Sequence, residues 1–305
     1  MTAEDTIERF ATARYVVKEA HEARWARRIA VFFLQLLILT AILHRFFDLG
    51  TPAAINLIIV CVVGLALAVL IAVVSLIRIW FGGQTGAGND FAAIVVGLIG
   101  LALPAYFLSQ SFMLPDLTDI QTSPEDPLQY TVLLEQRPPD ANPLGPQTAE
   151  QVQLQAEAYE DIGPIEVDRS AGAVFTVVIE AVKQLGWTVV VNEAPGESGV
   201  GRIEATDSSL IMGFTDDVVV RVKGDDTSAV IDIRSASRYG RSDLGANAER
   251  IRAFEEEVNT ALEKGETTVL EQTAAEPKEE PVAAPAKQVK KKQRRVRKRR
   301  VNRRR

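Results

Sequence analysis

The chain has 305 residues, 47% of them hydrophobic and 24% charged, enough for a membrane region followed by one soluble core of ordinary size. Its formal charge of −6 hides a division: thirteen of the 34 lysines and arginines fall between Lys287 and Arg305, leaving 21 against 40 acidic residues elsewhere. Both histidines (His21 and His44) and the lone cysteine (Cys61) precede the polar C-terminal part, which excludes His/Cys zinc centres, Cys–His nucleophiles, Ser–His–Asp triads and any intrachain disulfide there.

Residues 1–28 form a mixed-charge arm. Three apolar stretches follow within residues 29–114: Ile29–Phe47, Ile55–Ile77 and Phe91–Leu114. Each is close to the roughly 20 residues a helix needs to cross a bilayer. Asn56 and Ser75 are the only polar residues of the second, and Pro104 interrupts the third, as membrane helices tolerate. The first stretch reads as a retained span, because no small-x-small cleavage pattern appears before His44 and Arg45. Those two residues would then sit at the membrane boundary. Arg14, Lys18, Arg24, Arg27 and Arg28 precede the first span, whereas Asp116, Asp119, Glu125 and Asp126 follow the third. The positive-inside rule places the N-terminus in the cytoplasm, and three crossings carry the C-terminal part to the other side of the membrane. The glycine-rich run Gly82–Gly88 lacks the Lys-Ser/Thr ending of a phosphate-binding loop and reads as a turn between spans.

Residues 115–163 are expected as a connector with one short helix. Seven prolines make 115–147 irregular, and a helix is predicted over Thr148–Tyr159. Residues 164–264 carry the soluble domain. Ser170 caps a predicted amphipathic helix, Ser170–Leu185, with Val174, Val178, Val182 and Leu185 at helical spacing and Gly186 as its stop. Strands are expected at Trp187–Val191, Gly201–Thr206, Asp216–Lys223 and Ala229–Ser237, with a hairpin turn at Gly224–Thr227. A closing helix runs from Ser242 to Glu263. The fold class is α+β: three transmembrane helices, then a two-layer domain with an antiparallel sheet and two packed helices. Residues 265–305 read as a disordered linker and basic tail.

Pairing Lys223 with Ser228 across the hairpin puts Asp217, Val219 and Arg221 on one sheet face with Asp232, Arg234 and Arg238; Arg202 and Glu204 join from the next strand. This face is either a solvated lattice of weak ion pairs or a platform for an anionic or sugar-like ligand or another protein. Beside it, Arg238 and Arg241 lead into the last helix. They form either an anion site at its N-terminus or loop-holding ion pairs, with Ser242 or Asp243 as the cap. Asn247 and Arg250 extend either arrangement. Of the paired carboxylates, Asp216 and Asp217 point to opposite faces and Asp225 and Asp226 sit in a turn, so neither pair suits acid–base catalysis.

The runs RIEATDSSLIMGFTDDVVVRV and DIRSASRYGRSDLGANAERIRAF, with the earlier PDLTDIQTSPEDP and AYEDIGPIEV, resemble the domain of unknown function 1499 family over about residues 114–264. The resemblance implies a bacterial, often membrane-linked domain and assigns it no reaction, cofactor or ligand. The expected protein is therefore a non-enzymatic binding or scaffold module on a membrane anchor. The alternative is an envelope enzyme acting on an anionic substrate through carboxylates and arginines. Beyond the lipid bilayer, the expected partners are another protein and, for Lys287–Arg305, anionic envelope polymers or lipid headgroups; nucleic acid is a partner only if the C-terminus is cytoplasmic. The tail carries no aromatics for base stacking.

Overall fold

The structure, a computed structural model, describes residues 18–275. It begins with three helices long and apolar enough to cross a membrane: α1 (His21–Phe46), α2 (Thr51–Gly82) and α3 (Ala87–Gln110). Each starts before its apolar stretch, because a helical backbone follows propensity as well as apolarity and Arg24, Arg27 and Arg28 are good helix formers. Thr51-Pro52 opens α2, and Gly83, at φ +62°, closes it in the left-handed conformation. Pro104 lies inside α3. Ala26, Ala30, Ala68, Ala72 and Ala93 make a buried seam, so the three backbones approach closely. A Cβ on Gly64 would collide with the Phe33 ring, so this contact requires glycine. Phe32, Ile38, Leu39, Val63, Leu70 and Ile99 are exposed on the outer surface, the chemistry of a lipid-facing wall.

The polar part forms one antiparallel sheet with helices. Its elements are β1 (Asp119–Gln121), α4 (Val132–Gln136), α5 (Ala149–Ala158), β2 (Ile165–Val167), α6 (Ala171–Gln184), β3 (Thr188–Glu193), β4 (Val200–Ser208), β5 (Thr215–Gly224), β6 (Ala229–Ser237) and α7 (Ala246–Ala275). Strand order is β1-β6-β5-β4-β3, and β2 also pairs with β6. Thr148 and Gln151 cap α5 reciprocally, and Ser170 caps α6. Helices α6 and α7 cover the apolar sheet face: Val174, Val178, Ile251 and Phe254 pack in one core with Val218, Val220, Val222, Ile231 and Ile233. Trp187 stacks on Phe254 with ring centroids 5.7 Å apart.

Four differences from the sequence expectations matter. The hairpin pairs Lys223 with Val230 and Gly224 with Ala229, two residues away from the expected register. Asp225 sets this turn, its Oδ1 accepting from the Thr227 amide and hydroxyl and from the Ser228 amide. A two-residue shift preserves side-chain parity, so the expected faces survive. Secondly, the proline-rich segment contains β1 and α4, and β1 joins the sheet as the antiparallel neighbour of β6. Thirdly, α7 starts at Ala246 because Asp243, Leu244 (φ +54°) and Gly245 (φ +80°) form the cap. Finally, residues 265–275, expected within a disordered linker, continue α7 as helical backbone; Glu266, Leu270, Glu271, Gln272, Ala274 and Ala275 favour helix, and no proline falls among these residues. Residues 1–17 of the arm and the basic tail lie outside the described residues.

Candidate functional site

Strand β1 extends the sheet at the edge of β6, and the segment that follows it, residues 122–145, lies over the charged sheet face and buries it. Leu128, Tyr130 and Leu133 pack on Val219 and Ala236, forming a second small core. Beneath them Glu204, Asp217 and Arg234 are at most 2% exposed. Charges taken so far from water must be paired, and these are.

Asp217 accepts from Arg137 Nη1 and from Arg238 Nη2, each at 2.6 Å. Arg137 also donates to the Ser237 carbonyl at 2.8 Å. Arg234 binds Asp119 Oδ2 at 2.6 Å, donates to the carbonyls of Leu128 (2.5 Å) and Gly145 (2.7 Å), and lies over the Tyr130 ring. The Tyr130 hydroxyl donates to the Asp217 and Arg234 carbonyls. Glu204 accepts from the Thr131 amide and hydroxyl at 2.6 Å each, from the Leu133 amide at 2.8 Å, and from Arg202.

Electrostatics follow from these contacts. Burial opposes ionisation of Glu204, but the Leu133 amide and the Thr131 hydroxyl and amide outweigh it and hold the carboxyl below its ordinary value of 4.5. Burial likewise opposes the charge of Arg234, and Asp119 overcomes it. Tyr130 is pushed well up by burial and then by Asp119.

A second polar cluster lies on the opposite sheet face, under the start of α7. Arg250 bonds Asp216 at 2.6 Å and Asp207 at 2.7 Å, and donates to Ser235 Oγ and Asn247 Oδ1. Asn247 donates to the Thr118 carbonyl and Ser237 Oγ. Asp243 accepts from the Gly245 and Asn247 amides, the capping arrangement expected of it. Burial raises both Asp216 and Asp243, against the pull of Arg250 on the first and of backbone amides on the second.

The residues singled out from sequence therefore divide. Asp217, Arg234 and Arg238 lie together in the covered layer, whereas Asp243, Asn247 and Arg250 lie together under α7. Arg241 is 93% exposed, with Asp116 at 3.4 Å, and belongs to neither group. Arg221 and Asp232, bonded at 2.7 Å, sit at the margin of the covered layer, where Arg221 also reaches Asp126 at 3.0 Å.

At that margin an open cleft of about 410 Å³ is lined by Ser123, Asp126, Arg221, Lys223, Ser228 and Asp232 among others. Lys223 has no carboxylate within ion-pair distance among the described residues. Sequence reasoning missed Asp119, Asp126, Tyr130 and Arg137, which all come from the proline-rich segment. The signal was the apolar run Tyr130–Leu134 (YTVLL), which has no reason to be apolar in a solvated linker. Among the described residues no group of three or more His, Cys, Asp or Glu is arranged to hold a metal ion.

Residues 119–258 match the family described as "Protein of unknown function (DUF1499)", so the resemblance read from the sequence holds. The matched segment opens at Asp119, the partner of Arg234, and closes within α7; both polar clusters fall inside it. Neither the curated proteins nor the solved structures yielded a match.

Proposed function

We propose that the chain is a multi-pass protein of the bacterial inner membrane whose domain acts as an extracytoplasmic binding or scaffold module and catalyses no reaction. The observation that carries this reading is the contrast between the covered layer and the cleft. Asp217 and Glu204 are each engaged by arginines or backbone amides and sealed from solvent, so they are poorly placed to exchange protons with a substrate. The cleft offers Lys223 beside the Ser123 and Ser228 hydroxyls, a set suited to a weakly held anionic group. The N-terminal arginines and the acidic flank after α3 support a cytoplasmic N-terminus. On that topology the Lys287–Arg305 tail meets anionic envelope polymers or lipid headgroups rather than nucleic acid.

Hydrogen exchange on the full chain in phospholipid nanodiscs, titrated with polyphosphate, tests this. The expected result is protection of residues 221–232 that disappears in Lys223→Ala, with no product formed. Turnover of an envelope substrate that is lost in Arg221→Ala would establish the enzyme instead.

A further inference from the structure

The β4–β5 connection, Ser209–Phe214, carries no charge, lying between Asp207 and Asp216. It is nonetheless an ordered loop. The Ser209 amide donates to the Phe214 carbonyl, and the Gly213 amide to the Ser209 carbonyl, each at 2.9 Å; Ser209 Oγ accepts from the Phe214 amide. Gly213 takes φ +75°, and even a Cβ there would touch Arg45.

That contact with Arg45 is part of a joint with the membrane region. His44 Nδ1 donates to the Met212 carbonyl at 2.6 Å, and Arg45 Nη1 donates to the Ser209 carbonyl at 2.8 Å. The His44 ring also packs edge-on against Phe214, with centroids 5.0 Å apart. His44 and Arg45 are the residues that the sequence places at the membrane boundary, in the last turn of α1. Because consecutive spans joined by short loops run antiparallel, the end of α1, the start of α2 and the end of α3 lie at this same level. The loop is therefore held where hydrocarbon gives way to headgroups.

Against that position, the loop's tip is apolar and bare. Leu210 is 86% exposed and Ile211 is 54% exposed. Phe46, Phe47, Phe112 and Met113, at the same ends of α1 and α3, are exposed as well. We infer that the β4–β5 loop seats in the bilayer, with Leu210 and Ile211 in the interfacial region beside the end of α1 and the domain fixed upright on its anchor. The occupant of this apolar surface is lipid: the surface is continuous with the lipid-facing wall of the helices, and His44 and Arg45, at the end of α1, border it. Strand β5 then leads away from the membrane, and its ten residues carry Lys223 and the cleft roughly 30 Å from the loop. This deepens the binding-module reading and rests on it for the three spans.

The test uses the full chain with Cys61→Ala, in liposomes containing nitroxide-labelled lipid, with one added cysteine carrying an environment-sensitive fluorophore. Leu210→Cys and, separately, Ile211→Cys are expected to be quenched by the lipid nitroxide and protected from aqueous iodide. Asp226→Cys, in the far hairpin, should show the reverse. Phe32→Cys, on the outer wall of α1, reports the spans independently. Lipid quenching at Phe32 with iodide quenching at both loop positions overturns the seated loop and leaves the spans intact. Loop labels shielded from both quenchers also overturn it, in favour of a protein contact. No lipid quenching at Phe32 overturns both readings.

Discussion

The two faces of the β4–β5–β6 sheet solve the same problem with opposite chemistry. One buries Val218, Val220, Val222, Ile231 and Ile233 under α6 and α7; the other buries Glu204, Asp217 and Arg234 under residues 122–145. Over the valine and isoleucine patch of the first face tight packing is sufficient, since apolar contacts are non-directional; directional bonds there are gathered in the Arg250–Asp216 cluster under the start of α7. On the second, every charge must meet a partner at a fixed geometry, so the covering segment needs Tyr130, Thr131 and Arg137, and the edge strand β1 needs Asp119. An apolar face accepts many lids, whereas a charged one specifies its lid.

The largest effects should come from breaking each face at its centre. Asp217→Ala leaves Arg137 and Arg238 without their shared carboxylate and should cost about 3–5 kcal/mol, read from urea unfolding of the detergent-solubilised chain. Phe254→Ala, on the other face, should cost a similar amount, about 3–5 kcal/mol, by opening a cavity beside Trp187. The two losses differ in character. Replacing Asp217, Arg137 and Arg238 together by apolar residues of similar volume should recover much of the first, because buried ion pairs add little over well-packed hydrophobes. No polar substitution should recover the second.

A smaller effect separates the faces by pH. Glu204 is held below 4.5 in the folded chain, so it contributes stability that is present above about pH 4.5 and lost as pH falls through its lowered folded value. Asp216 and Asp243 act in the opposite sense, since burial raises them above 3.8 and their cost is relieved on acidification. Unfolding midpoints followed from about pH 6 to about pH 3 should therefore fall more steeply in the native chain than in Glu204→Gln. An equal slope would mean that Glu204 is not ionised under its lid.

The smallest effect belongs to Arg241, which is exposed and only distantly paired. Arg241→Ala should change stability by less than about 0.5 kcal/mol. Arg238→Ala, in the covered layer, should cost about 1–3 kcal/mol by stripping Asp217 of one of its two arginines. Both are measured by the same urea titration.

Much of this arrangement was legible from residue order alone. Alternation along Asp217–Val222 and Ile231–Arg234 separates the charged from the apolar face, and a register error of two residues left that separation intact. Ser170, Gly186 and Asp243 mark helix ends by local chemistry that needs no tertiary context. The lid was not legible in the same way. A three-residue strand such as Asp119–Gln121 has no periodicity to detect, and prolines at 124, 127, 138 and 139 signal irregular backbone whether that backbone is solvated or packed. Charged residues on a sheet face ordinarily mean water, so nothing in Asp217, Arg234 or Glu204 announces burial until their partners, about 70 to 115 residues away in sequence, are brought above them.

Hydrogen exchange at residues 131–133 of the full chain bears directly on whether the segment after β1 is a lid or a linker. The Thr131 and Leu133 amides both donate to the buried Glu204 carboxylate, on the charged face itself. If the charged face is an interior layer, these amides should be protected to nearly the extent of those in β6 and should lose that protection in Asp217→Ala or Arg234→Ala. Exchange at the rate of an unprotected chain, with β6 still protected, would return the charged face to solvent and contradict the buried layer.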